Sequence, residues 1–138
     1  MSAKVDRVMI DADVLMASAL ADDERRGQAI DRFTALAEAG SELWVCRRTL
    51  GEYLAKQPIS KPELIADVRR FEAAFHVAED GPQVTTYLLN LWHTLELKDA
   101  DLSRANLVAT MLAWNVRTLL TFRPEDYAPF GGYVRLTD

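Results

Sequence analysis

Four carboxylates in this sequence stand just beyond short apolar runs, where parallel-sheet proteins place their ligand sites. Asp11 and Asp13 follow Val8-Met9-Ile10, Glu52 lies about one helical turn past Leu43-Trp44-Val45-Cys46, and Asp126 follows Leu119-Leu120-Thr121. Carboxylates that converge on one cleft repel each other unless a hard cation joins them, and Mg²⁺ or Mn²⁺ with oxygen ligands is the natural one. A centre of that kind activates water for phosphodiester cleavage. Each acid also has a structural use. Asp11 and Asp13 can cap a helix, Thr49-Leu50-Gly51-Glu52 has the spacing of a capping box, and Asp126 in Pro124-Glu125-Asp126-Tyr127 can serve a turn. The combination says more than any member.

The elements that must position these acids are short strands and helices in alternation. Val8–Ile10 reads as a buried strand, and the Leu-, Ala- and Met-rich segment Val14–Ala21 as the helix after it. Asp22-Asp23-Glu24 offers acids at a helix start, and Ala29, Ile30, Phe33, Leu36 and Ala37 keep helical spacing until Gly40. Leu43–Cys46 reads as a second strand. Thr49 and Ser60, each with a Glu three residues on, open the next two helices. Gly81-Pro82 is a break before a helix over about Val84–Leu95; Ser103–Trp114 is a further helix, Thr118–Thr121 a strand, and Tyr133–Leu136 a final edge strand. This order predicts an α/β protein, three layers deep, with a mainly parallel central sheet.

The 138 residues suit one core, and no repeat or linker interrupts them, so residues 1–138 are expected to form a single domain. With 49% apolar and 27% charged residues the chain is neither disordered nor fibrous. Its 16 basic and 21 acidic groups leave a net charge of −5, which argues against overall electrostatic attraction to nucleic acid or an anionic membrane. Acids gathered in one cleft would account for part of that balance. The pairs Arg25-Arg26, Arg47-Arg48 and Arg69-Arg70 either bind phosphate locally or are solvated helix faces. No apolar run is long enough to span a membrane, and Met1–Arg7 holds no apolar signal core. Cys46, the single cysteine, cannot form an internal disulfide and reads as a buried small hydrophobe, so a cytoplasmic protein is expected.

Taken in order, these segments resemble the PIN-domain ribonucleases, in particular the VapC-type toxins of toxin–antitoxin pairs. Val8-Met9-Ile10-Asp11-Ala12-Asp13-Val14-Leu15 is similar to the family's opening strand with its D-x-N/D motif. Thr49-Leu50-Gly51-Glu52-Tyr53-Leu54 is similar to the second motif, and Leu119 to Tyr127 to the T-x-x-x-x-D-F segment. The resemblance spans nearly the whole chain. It implies a metal-dependent endoribonuclease in which Asp11, Glu52 and Asp126 are catalytic. Asp11, Asp13, Glu52 and Asp126 would then hold Mg²⁺ or Mn²⁺. It further implies an RNA substrate, a small antitoxin partner and a homodimer, to which the apolar Leu88, Leu89, Trp92 and Leu95 would contribute.

One motif departs from the family. Where relatives carry an aspartate, Ser103-Arg104-Ala105-Asn106-Leu107-Val108-Ala109 places Arg104; Asn115 stands where glycine is usual, and Arg123 where Asn or Asp is frequent. Arg104 also sits in the first turn of its helix, where the macrodipole favours acids, so it should have carboxylate partners, with Asp11 and Glu52 the candidates. Exchanging an acid for an arginine shifts the charge by two units, and at an effective dielectric near 20 and roughly 4 Å each unit costs a dication about 4 kcal/mol. Two readings stand. Either an active nuclease recovers its acid from Asp99 or Asp101, since Asp99-Ala100-Asp101-Leu102 also reads D-A-x-L, or Arg104 and Arg123 modify the site. In the second case no metal is held and the protein is an inactive RNA- or protein-binding module. A phosphatase of the haloacid-dehalogenase type would share Asp11-Ala12-Asp13, but no Gly-Asp pair exists and Lys98 is the only lysine beyond residue 61.

Overall fold

The computed structural model describes residues 5–20, 23–56 and 60–137. Strand β1 (Arg7–Ile10) lies at the centre of a five-stranded sheet with β2 (Glu42–Cys46), β3 (His76–Ala78), β4 (Thr118–Leu120) and β5 (Arg135–Thr137). The spatial order is β3-β2-β1-β4-β5, and every neighbouring pair is parallel. Val8 is in register with Leu43 on one side and Thr118 on the other. The chain leaves β1 toward β2 and β3, then returns to build β4 and β5 on the opposite side. The switch falls between β1 and β4.

Alternation along the strands sorts the core into two layers. Val8, Ile10, Val45 and Leu120 face helices α1 (Ala12–Ala19), α2 (Arg26–Glu38), α3 (Arg47–Lys56) and α4 (Lys61–Ala74). Met9, Trp44, Cys46 and Leu119 face α5 (Pro82–Thr94), α6 (Leu102–Ala113) and the 3-10 segment Pro124–Phe130. The result is the three-layer α/β/α arrangement with a parallel sheet. Cys46 is buried, as its apolar surroundings predict.

Helix ends follow the local chemistry. Asp11 caps α1 through Ala12 N–H, and Ser60 caps α4 through Glu63 N–H at 3.4 Å. After α2, Gly40 takes a φ of +81°, and after α6, Asn115 takes +55°. Both helices close with the N–H of the residue just beyond that corner bonded back into the final turn, Ser41 to Leu36 O and Val116 to Met111 O. A left-handed residue is needed at such a corner. Asn is the side chain that best tolerates it, which accounts for Asn115 at a position where glycine is usual.

The structure differs from the sequence expectations at two points. The capping box at Thr49 and Glu52 does not form, because α3 starts at Arg47 directly from β2 and leaves both residues inside the helix. Thr49 Oγ1 instead lies 3.1 Å from Cys46 Sγ. Strand β3, with three residues at the sheet edge, was not foreseen. Asp22 and Ala21, assigned to a helix start and a helix end, lie outside the described residues; Asp23 accepts from Arg25 N–H just ahead of α2.

Candidate active-site cleft

The switch between β1 and β4 opens a crevice beyond the carboxyl ends of the strands, the place where open α/β sheets bind ligands. A cleft of about 380 Å³ lies there, and Asp11, Asp13, Glu52 and Asp126 all line it. Asp11 and Asp13 are delivered by the step from β1 into α1, Glu52 by α3, and Asp126 by the 3-10 segment after β4. Arg104, from the first turn of α6, and Arg123 line the same cleft.

Asp11 and Asp13 are tied across the switch point by Thr121, the residue just past the end of β4. Thr121 Oγ1 donates to Asp11 Oδ2 at 2.8 Å and approaches Asp13 Oδ2 at 3.4 Å, while accepting from Arg123 N–H at 3.1 Å. Asp13 Oδ2 also accepts from Phe122 N–H at 3.1 Å, and its Oδ1 from Val14 N–H at 2.7 Å. The phenol of the buried Tyr127 adds a hydrogen bond to Asp11.

Electrostatics follow from this crowding. Burial first, and the charge of Asp13 second, push the Asp11 carboxyl up to about 6, against the hydrogen bonds from Thr121, Ala12 and Tyr127. Burial also raises Asp13, which the nearby Arg25 charge opposes. Tyr127 is pushed upward by burial and then by Asp11. A carboxyl near 6 exchanges its proton close to neutral pH, a property suited to general acid–base work.

Arg104 does not pair with Asp11 or Glu52. Its Nη2 reaches Asp101 Oδ1 at 3.0 Å, an i,i+3 contact within the start of α6, and Lys98 N–H donates to the other Asp101 oxygen at 2.9 Å. These two bonds hold the Asp101 carboxyl below its usual range, Lys98 first and Arg104 second. Asp101 therefore serves a helix start and an ion pair, and neither Asp99 nor Asp101 lines the cleft. Glu52 is engaged along the cleft wall: Ser103 Oγ donates to its Oε1 at 3.3 Å, and Arg48 Nε lies 3.6 Å from the same oxygen.

A dication needs several oxygen ligands around one point. Among the described residues, no three Asp, Glu, His or Cys side chains gather in that way. Asp11 and Asp13 accept from backbone N–H groups and Thr121, and Glu52 is turned toward Ser103 and Arg48. The four acids share a cleft without closing into a cage, so this arrangement does not fit the expected metal.

Among the polar residues at the cleft, the sequence reading singles out none of Ser103, Thr121 and Tyr127. Thr121 and Tyr127 lie inside the Leu119–Tyr127 motif, and their signal is adjacency to a strand end and to Asp126. Arg25 and Arg48 were visible only as members of basic pairs. Of their neighbours, Arg47 bonds Glu72 and Glu79, Arg69 bonds Glu72, and Arg70 bonds Asp67.

No protein-family model and no curated protein sequence matches the chain. Solved structures do match. The VapBC2 complex of Rickettsia felis, bound to a DNA fragment from its promoter, aligns with a TM-score of 0.69 at 15% identity, covering 95% of this chain and 97% of that one. VapC20 of Mycobacterium tuberculosis, a toxin that cleaves the sarcin–ricin loop, aligns at 0.70 and 15% identity, with 92% and 96% covered. A toxin–antitoxin complex from Klebsiella pneumoniae aligns at 0.66 and 17% identity, with 95% and 96% covered. The sheet order, the crevice at the β1/β4 switch and these alignments over nearly the full length agree: the chain has the VapC-type PIN fold.

Proposed function

We propose that residues 1–138 form a single VapC-like PIN domain that engages RNA in its acidic cleft, and that Arg104 leaves it without the metal-loaded centre of an active endoribonuclease. The observation that carries this reading is the composition of the cleft. Asp11, Asp13, Glu52 and Asp126 meet Arg25, Arg48, Arg104 and Arg123 within one space. Arginine forks bind phosphodiesters, and a cleft whose acids are balanced by fixed cations admits an anionic strand without a dication. The four acids and four arginines cancel within the cleft, so the net charge of −5 lies outside it.

The solved complexes of the same fold support an antitoxin as partner. Leu89 and Trp92, both exposed on α5, support a homodimer. No helix among the described residues is long and apolar enough to cross a membrane, which agrees with action in the cytoplasm.

A second reading, an active Mg²⁺- or Mn²⁺-dependent endoribonuclease, is favoured by the Asp11–Asp13 pair, where burial first and the Asp13 charge second push Asp11 up to about 6. RNA cleavage by the native chain and by Arg104→Asp, each with and without Mn²⁺, separates the two. Cleavage gained only by the variant with Mn²⁺ supports the disabled centre. Equal Mn²⁺-dependent cleavage by both supports the active enzyme and overturns it.

A further inference from the structure

Arg104 differs from the other arginines of the cleft in how it is held. Its Nη2 is fixed by Asp101 at 3.0 Å, and its Nε is buried with no hydrogen-bond partner among the described residues. A guanidinium pinned at one nitrogen is already oriented, so little rotamer freedom remains to be lost when an acceptor reaches the 30% of the side chain left open. Arg48 and Ser103 line the same cleft, both turned to the same oxygen of Glu52, at 3.6 and 3.3 Å. The Arg48 distance is long for a hydrogen bond, which leaves that side chain open to a stronger anion.

We infer that Arg104 and Arg48, with the Ser103 hydroxyl between α3 and α6, form a subsite for one phosphodiester of single-stranded RNA. The inference rests on the reading of the cleft as an RNA site and adds to it which wall holds the backbone. On this account Arg104 is a gained phosphate ligand as well as a lost acid. The ligand requires a planar fork, which an ammonium does not supply.

The test is fluorescence anisotropy with a 5′-labelled single-stranded oligoribonucleotide, in EDTA, from 50 to 300 mM KCl. The proteins are the native chain, Arg104→Gln, Arg104→Lys, Arg48→Gln, Arg25→Gln and Arg69→Gln. Arg69 lies on α4 outside the cleft, paired with Glu72, and serves as the control. The expected result is an affinity loss of at least tenfold in Arg104→Gln, with the salt slope reduced by about 0.7, the value for a single phosphate of single-stranded nucleic acid. Arg104→Lys should restore the slope without restoring the affinity, a split that a merely misfolded protein would not give. Arg69→Gln should match the native chain. Native-like affinity and slope in Arg104→Gln would overturn the subsite. If Arg25→Gln weakens binding while Arg104→Gln does not, the RNA cleft survives and this subsite falls; if the native chain binds no RNA, both fall.

Discussion

Replacing Asp11 by Asn should stabilise the protein, and by an amount that grows with pH. The Asp11 carboxyl sits at about 6, where an unperturbed one sits at 3.8, because burial and the Asp13 charge disfavour its ionised form. A gap of roughly two pK units corresponds to about 3 kcal/mol. The folded chain binds the Asp11 proton more tightly than the unfolded chain, so between about pH 4 and 6 it holds more protons, and stability falls as pH rises through that window. Below both values the group is neutral in both states and costs nothing; above about pH 7 the full penalty applies. Asn keeps an oxygen for the Ala12 N–H and carries no charge. Urea unfolding of native protein and Asp11→Asn should therefore show the variant gaining about 2 to 3 kcal/mol relative to native between pH 4 and pH 8. Other carboxylates titrate in both proteins and cancel in the difference. A difference that stays constant with pH, or that turns against the variant as pH rises, would refute the assignment of a buried, charge-crowded Asp11.

Thr121→Val removes the hydroxyl that donates to Asp11 and accepts from Arg123 N–H. Denaturation should show a loss of about 1–3 kcal/mol, larger at pH 8 than at pH 4 because the lost donor then faces an ionised carboxylate. Tyr53→Phe removes the 2.6 Å hydrogen bond from a fully buried phenol to Asp67, which joins α3 to α4. Its urea midpoint should fall by the equivalent of about 1–2 kcal/mol with little change in slope, since Arg70 still pairs with Asp67.

The parts of the fold that could be read from sequence are those encoded by neighbours in the chain. Val8–Ile10 followed by Asp11 marks a strand entering a helix, and a parallel sheet with its switch at β1 brings the later acids Glu52 and Asp126 to the same end. Strand β3 escaped notice because it has three residues at an edge and only Ala78 is buried, too little for a period to show. The Thr49 spacing misled because a capping box needs a non-helical residue at its head, and α3 is already under way at Arg47. Charge complementarity points Arg104 across the cleft to Asp11 and Glu52, whereas its partner Asp101 lies one turn away on the same stretch of chain. Long-range ties such as Thr121 to Asp11, 110 residues apart, depend on sheet order, which no local pattern contains.

The most direct test of the account is a calorimetric titration of Mn²⁺ into the native chain and into Arg104→Asp at pH 7.5. A cleft that balances its acids with Arg104 predicts no binding tighter than about millimolar in the native chain, and binding at least tenfold tighter in the variant, where two units of positive charge are withdrawn. Equal affinity in the two proteins, at micromolar Mn²⁺, would contradict it.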